Sequence, residues 1–352
     1  MIITIVAFLG VLAVLILAHE LGHFTTAKAF GVKVEEFGLG FPPRLLSVKL
    51  GETRYSLNAV PLGGFIKMAG EVDPKETRSL ASKGIATRIL VLSAGSLMNA
   101  LLPLLLFSIA FMVPHNMVIG EVTVQEVAPN SPAAMAGIDS GDTILSVNEH
   151  PVRNISDLHR YIRLSLGKET TLVVSRSDSA TEEVQLIPRW QPPEGEGAIG
   201  IVVSIPNPTI VRQSEPFWKA IPLGVKECIE TFVLFKNAIL GLFIGTATFQ
   251  VGGPVAIAQI TGEAAKAGIS ALLGFAAFLS INLALINIFP LPALDGGRIV
   301  FVLLEWVRRG KRISPKTEGL IHAIGFMLLM VAILAITYQD ITRIISGESF
   351  IP

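Results

Sequence analysis

Hydrophobic residues in this chain fall into long unbroken runs more than into periodic faces. The first runs from Met1 to Ala18 without a charge and continues as a helical pattern, giving a span over about residues 3–28. Others cover about 89–113, 271–294 and 320–338, the third interrupted late by Pro290 and Pro292. At 1.5 Å per residue, 20 residues reach across the roughly 30 Å hydrocarbon core of a bilayer. Four transmembrane helices are therefore expected. The first run has no basic leader and no small-residue cleavage site, so it reads as an uncleaved span and not a signal peptide.

Between the runs the pattern changes. Residues 31–88 alternate about a turn at Gly51-Glu52, with arms Arg44–Leu50 and Thr53–Val60 bracketed by Gly/Pro-rich stretches, which predicts a membrane-associated β-hairpin. Such a hairpin could offer an edge strand to an extended substrate, or simply pack on the membrane face. Residues 118–204 mix both periods: a strand near 118–127, a short helix opened by Ser131-Pro132, a strand Thr143–Val147, a helix near 155–166 and a strand from Thr170. This predicts an inserted α+β domain. In the linker 205–270, the run 228–249 carries Lys236 and Asn237 at its middle. A central Lys costs about 2.5–3.5 kcal/mol on insertion scales, so this segment is expected to lie on the interface as an amphipathic helix.

Composition agrees with a multi-pass membrane protein: 51% hydrophobic, 16% charged, mean hydropathy +0.61. A formal charge of zero leaves no footprint for nucleic acid, and the lipid bilayer is the first partner. Basic residues concentrate in 31–88 and in Arg308, Arg309, Lys311, Arg312 and Lys316. The positive-inside rule puts both segments in the cytoplasm and the 118–204 domain outside. A single cysteine, Cys228, excludes an internal disulfide and a cysteine metal cluster. A metal site must rely on His and carboxylate.

The first span ends in His19-Glu20-Leu21-Gly22-His23. Histidines four apart share a helix face and reach one metal ion, while Glu20 beside them is placed to take a proton from activated water. This is a zinc peptidase signature inside a membrane segment, where an ionisable group is costly unless used. Catalytic zinc takes three protein ligands, and position 29, where one soluble peptidase pattern has a third His, is Ala29. Of the aspartates only Asp295 is embedded in apolar sequence, and parity of the spans puts it on the same side as the histidines; His322 is the other candidate. Alternative readings are a catalytically silent scaffold that binds partners through the 118–204 domain, which would not need a base between zinc-spaced histidines, and a metal transporter, whose path would show several intramembrane ligands per helix where here they concentrate in two places.

Taken together, HELGH, the FGLGF and PLGGFIKMAGE stretches after it, and Asn287-Ile288-Phe289-Pro290-Leu291-Pro292-Ala293-Leu294-Asp295-Gly296 resemble the site-2 protease family, in its bacterial single-PDZ branch. The stretch from Ser131-Pro132-Ala133 through Gly141-Asp142 to Val147-Asn148 resembles a PDZ domain over 118–204. The resemblance implies one zinc per chain on His19, His23 and Asp295, Glu20 as catalytic base, and Asn287, with Asn282 as a second asparagine, supporting substrate or transition-state charge. It further implies a transmembrane protein or peptide as substrate, a peptide C-terminus as a partner of the PDZ-like domain, and residence in the cell membrane with the active site near the cytoplasmic face. On this reading 1–113 and 271–352 form the two membrane parts.

Overall fold

The computed structural model describes residues 2–71, 75–176, 180–246 and 252–346, without the side chains of 41, 61 and 62. The chain forms two compact units, residues 1–110 with 251–352, and residues 111–250.

The first unit opens with α1 (Ile2–Ala29), followed by β1 (Val34–Leu50), β2 (Thr53–Met68) and α2 (Ile85–Met112). β1 and β2 are long because each is really two arms. Residues 44–50 pair with 53–58 around the turn, where Gly51 takes a φ of +62°. The earlier arm, 36–39, pairs with 64–67 running the opposite way and, on its other side, with 54–57, where partners advance together from Glu36–Arg54 to Leu39–Leu57. Glycines allow this compaction: a Cβ on Gly38 would lie 2.3 Å from the Phe65 ring. Leu45, Leu46, Val48 and Leu50 stay exposed, as expected of a surface that meets lipid. The tip is tied back by Glu52, which binds Lys28 at 2.7 Å and Arg78 at 2.7 Å. Those two cations hold its carboxyl down to about 2.

The second unit contains β3 (His115–Ile119), β4 (Val122–Val127), α3 (Pro132–Met135), β5 (Thr143–Val147), β6 (His150–Pro151), α4 (Ile155–Leu164), β7 (Thr170–Ser175), β8 (Thr181–Leu186), β9 (Ile201–Ser204), β10 (Thr209–Gln213) and α5 (Phe217–Ile244). Five strands follow the order β8-β7-β5-β4-β9, with β6 beside β5, and β3 pairs with β10 in a separate antiparallel ribbon. Alternate residues Val122 and Val124 of β4 and Leu172 and Val174 of β7, with Ile144 and Val147 on either side of a register shift in β5, share one core with Leu158 and Ile162 of α4. Ser131 and Asn154 accept from Ala134 N–H and Asp157 N–H as N-caps of the two short helices.

Residues 217–244 form α5, which belongs to the second unit. Arg160 of α4 forks between Glu227 and Glu230, and Asn237 Nδ2 donates to Arg163 O at 2.9 Å, satisfying a carbonyl at the C-terminal end of α4. The mid-run Asn237 is polar for that reason. Residues 247–249 of the predicted run lie outside the described residues.

The chain returns to the first unit through α6 (Pro254–Ala267), α7 (Ile269–Ile288), α8 (Asp295–Val307) and α9 (Pro315–Ile345). α6 was not visible in the hydropathy. It packs on α1 at Gly262, where a Cβ would sit 2.5 Å from Thr4 Oγ1, and its first N–H groups are capped by Asp340 of α9. Among the described residues four helices are long and apolar enough to cross a membrane, α1, α2, α7 and α9, and α5 is not one of them.

Candidate metal centre

His19 and His23 lie one turn apart near the end of α1, on the side facing α2. Close packing of the two helices depends on Gly22, where a Cβ would be 2.3 Å from Ala94 O. Directly beneath the imidazoles is Gly95. A methyl group there would fall 2.4 Å from His23 Nε2 and 2.6 Å from His19 Cε1. Gly95 thus faces the two imidazoles and leaves them the space they occupy.

Asp295 is brought in by the later helices of the unit. α7 stops at Ile288, and the chain turns through Phe289–Leu294 before α8 begins on Asp295. Gly296 and Gly297 make the turn tight enough, since a Cβ on either would strike carbonyl oxygens of Phe289 or Leu291 at 2.1–2.3 Å. Ala293 is held at a φ of +79°, and its N–H donates to His322 Nδ1 at 2.9 Å. His322, the other candidate third ligand, therefore braces the turn that delivers Asp295. α8 is fastened in turn by Glu305, which binds Arg88 at the start of α2 at 2.5 Å and Arg312 at 3.0 Å.

The three donor atoms converge. His19 Nε2 is 3.1 Å and His23 Nε2 3.2 Å from Asp295 Oδ2, and the two nitrogens are 3.3 Å apart. Among the described residues this is the one group of three or more His, Cys, Asp or Glu side chains close enough to share an ion. Bonds of about 2.0–2.1 Å to a tetrahedral zinc place ligand atoms about 3.3 Å apart, so the triangle has the size of one face of that tetrahedron. The donor chemistry also fits, two imidazoles and one carboxylate being a zinc hydrolase set. His23 Nδ1 donates to Val91 O at 2.8 Å, which fixes the proton on Nδ1 and leaves the Nε2 lone pair for a metal.

Glu20 lines the same cavity of about 380 Å³ as the three donors and Asn287. Residues of the arm 64–68 line it as well. Gly64 brings that arm against α1, where a Cβ would lie 2.9 Å from Ile16 Cγ2 and 3.0 Å from Glu20 Cγ. This arm pairs with 36–39 along one edge, and its other edge has no strand partner among the described residues. Asn282 sits half-buried on α7 and does not line the cavity. Arg298, not singled out from sequence, does line it, and binds Glu71 Oε2 at 2.8 Å just beyond the arm.

Two imidazoles on the membrane-crossing α1, a carboxylate at the first residue of α8 and a neighbouring glutamate have the make-up of a metallopeptidase centre. The profile of Peptidase family M50 matches residues 7–332, and the chain belongs to that family. It is similar to "Putative zinc metalloprotease CPE1693" of Clostridium perfringens, 39% identical over 93% of this chain and 95% of the relative. It is also similar to zinc metalloprotease RasP of Geobacillus kaustophilus, 29% identical over 97% of this chain and 98% of the relative. The protein is accordingly a zinc-dependent peptide hydrolase of the class that acts in regulated intramembrane proteolysis.

Proposed function

We propose that this chain cleaves transmembrane segments of membrane proteins, with His19, His23 and Asp295 holding one zinc and Glu20 as the base. The observation that carries the assignment is the 3.1–3.3 Å triangle of donor atoms beside Glu20. When bound, zinc polarises the scissile carbonyl and makes water acidic enough to lose a proton near neutral pH. Glu20 takes that proton and passes it to the leaving amine. Asn287 supports the substrate or its developing charge from the cavity wall.

A helical segment keeps its backbone in internal hydrogen bonds, so it must unwind before attack. The free edge of arm 64–68 beside Glu20 supports capture of the unwound stretch by strand addition. Basic residues in 31–88 and 308–316 support a cytoplasmic position for the site and an extracytoplasmic one for the second unit. The fold of 118–204, its helices capped by Ser131 and Asn154, supports a PDZ-like domain that binds a peptide end or limits which substrates enter.

The deciding experiment substitutes Glu20→Gln and, separately, His23→Ala and Asp295→Ala in detergent-purified protein, measuring single-turnover cleavage of a membrane-spanning substrate and zinc on the same samples. Glu20→Gln should keep about one zinc per chain and lose about 10²–10⁴ in rate. His23→Ala and Asp295→Ala should lose the metal. A Glu20→Gln protein within a few-fold of full activity at equal zinc would remove Glu20 from the chemistry.

A further inference from the structure

Both imidazoles of the pair need their outer nitrogens satisfied, and α2 runs behind them. Val91, Gly95 and Asn99 follow one another at four-residue intervals and so form one face of that helix. Val91 O accepts from His23 Nδ1 at 2.8 Å. Two turns further on, Asn99 stands opposite His19, with Nδ2 3.5 Å from His19 Nδ1.

That approach cannot be a hydrogen bond in the metal-bound state as the amide is oriented. His19 directs Nε2 into the donor triangle, so its lone pair belongs there and its proton belongs on Nδ1. An N–H of His19 then faces an N–H of Asn99, two donors without an acceptor. Meanwhile Asn99 Oδ1 is buried and has no hydrogen-bond partner, in a residue only 1% exposed. Leaving a buried carbonyl oxygen unpaired beside an unpaired N–H is expensive on both counts. A half-turn of the amide exchanges its two ends at almost no steric cost. It brings the orphaned oxygen to the position facing Nδ1.

We infer that Asn99 is the outer partner of the metal ligand His19, accepting from His19 Nδ1–H through Oδ1 and so fixing the tautomer that presents Nε2 to zinc. The arrangement rests on the ligand set proposed above. Its rigidity has a visible source: Ser280 Oγ of α7 donates to Asn99 O at 2.7 Å in a fully buried contact, which holds that point of α2 in place. Gly95 keeps the space between Val91 and Asn99 clear for the two rings. α2 thereby supplies one acceptor for each ligand histidine, a main-chain carbonyl for His23 and a side-chain carbonyl for His19. Asn99 is a positioning residue, since it touches a ligand and not the reacting atoms.

The test compares Asn99→Ala, Asn99→Leu and Asn99→Asp for zinc affinity, by competition with a chelator of known affinity on full-length protein in detergent. Thermal unfolding of the zinc-free proteins is measured in parallel. Loss of an outer partner typically weakens a metal site 10–100-fold. Asn99→Ala and Asn99→Leu should fall in that range while still reaching about one zinc per chain at saturation. Asn99→Asp, which keeps an acceptor oxygen, should stay within a few-fold of the unmodified protein. The proposal is overturned if Asn99→Ala binds zinc as tightly as the unmodified protein, or if Asn99→Asp is as weak as Asn99→Ala. His23→Ala and Asp295→Ala run alongside: if they too bind zinc normally, the ligand set fails and the proposal with it. If they lose zinc while Asn99→Ala does not, the proposal alone falls.

Discussion

Residues with no functional group set the geometry at this centre as firmly as the ligands do. Gly95 is the sharpest case, because the nearest atoms to a Cβ there are Nε2 of His23 and the ring of His19. Gly95→Ala should push the imidazoles off the donor triangle, since both rings pack directly on that position. Zinc affinity should drop at least about tenfold, with far-ultraviolet circular dichroism unchanged. One zinc per chain at unaltered affinity in Gly95→Ala would refute the packing argument. The histidine spacing was legible because a helix converts a four-residue interval into one face whatever surrounds it. Asp295 was legible by side, through the parity of spans, but its approach to 3.1 Å of His19 was not. What Asn99 and Gly95 face is a property of two helices meeting, and no single-chain pattern carries it.

At the scale of elements, the cleft is bounded by parts that hydropathy separates widely. Runs long enough to span a bilayer emerged as α1, α2, α7 and α9, because unbroken apolarity is a local property. Arms 34–41 and 63–68 did not, since Gly38, Gly40, Pro42, Pro61 and Gly63 make them look like loop; their hydrogen bonds come from partners some 30 residues away. α6 was also missed, its Ala- and Gly-containing sequence being weakly patterned and capped by the distant Asp340. One ion pair links the two walls directly. Arg298 is one turn after Asp295, and Glu71, which also accepts from Met68 N–H at 3.4 Å, ends the arm beside Glu20. A partly exposed pair contributes only about 0–1 kcal/mol to stability, so its consequence should be cleft geometry and not folding. Arg298→Met and Glu71→Gln should each weaken cleavage about threefold to tenfold through KM at unchanged zinc, a range set by about 1 kcal/mol or slightly more. The reversed pair Arg298→Glu with Glu71→Arg should recover part of the loss. If it is no better than either single change, the tie between the walls is not what those residues provide.

For the whole molecule, the division of labour follows from where the residues lie. All those assigned to metal, base and cleft belong to residues 1–110 and 251–352, and none to 111–250. The second unit is therefore expected to govern access and not to supply chemistry. Its own architecture offers a clean way to remove most of it. The chain enters the sheet after β3 and leaves it before β10, and these strands pair antiparallel with Ile119 opposite Thr209. Replacing residues 120–208 by Asn-Gly should close that ribbon as a two-residue hairpin, the turn such a pairing favours. The excision also removes Arg160, the cation that Glu227 and Glu230 share, leaving Glu230 only its longer pair with Lys226 at 3.8 Å; changing both to Gln avoids leaving two neighbouring carboxylates on α5. Zinc should remain at about one per chain, and a short pre-trimmed transmembrane substrate should be cleaved within a few-fold of the normal rate. A substrate still carrying a large extracytoplasmic domain should be cut faster by the shortened chain than by the full one if the domain acts as a filter. Loss of cleavage for the pre-trimmed substrate, in protein that still binds zinc, would show instead that 120–208 docks the substrate for the active site.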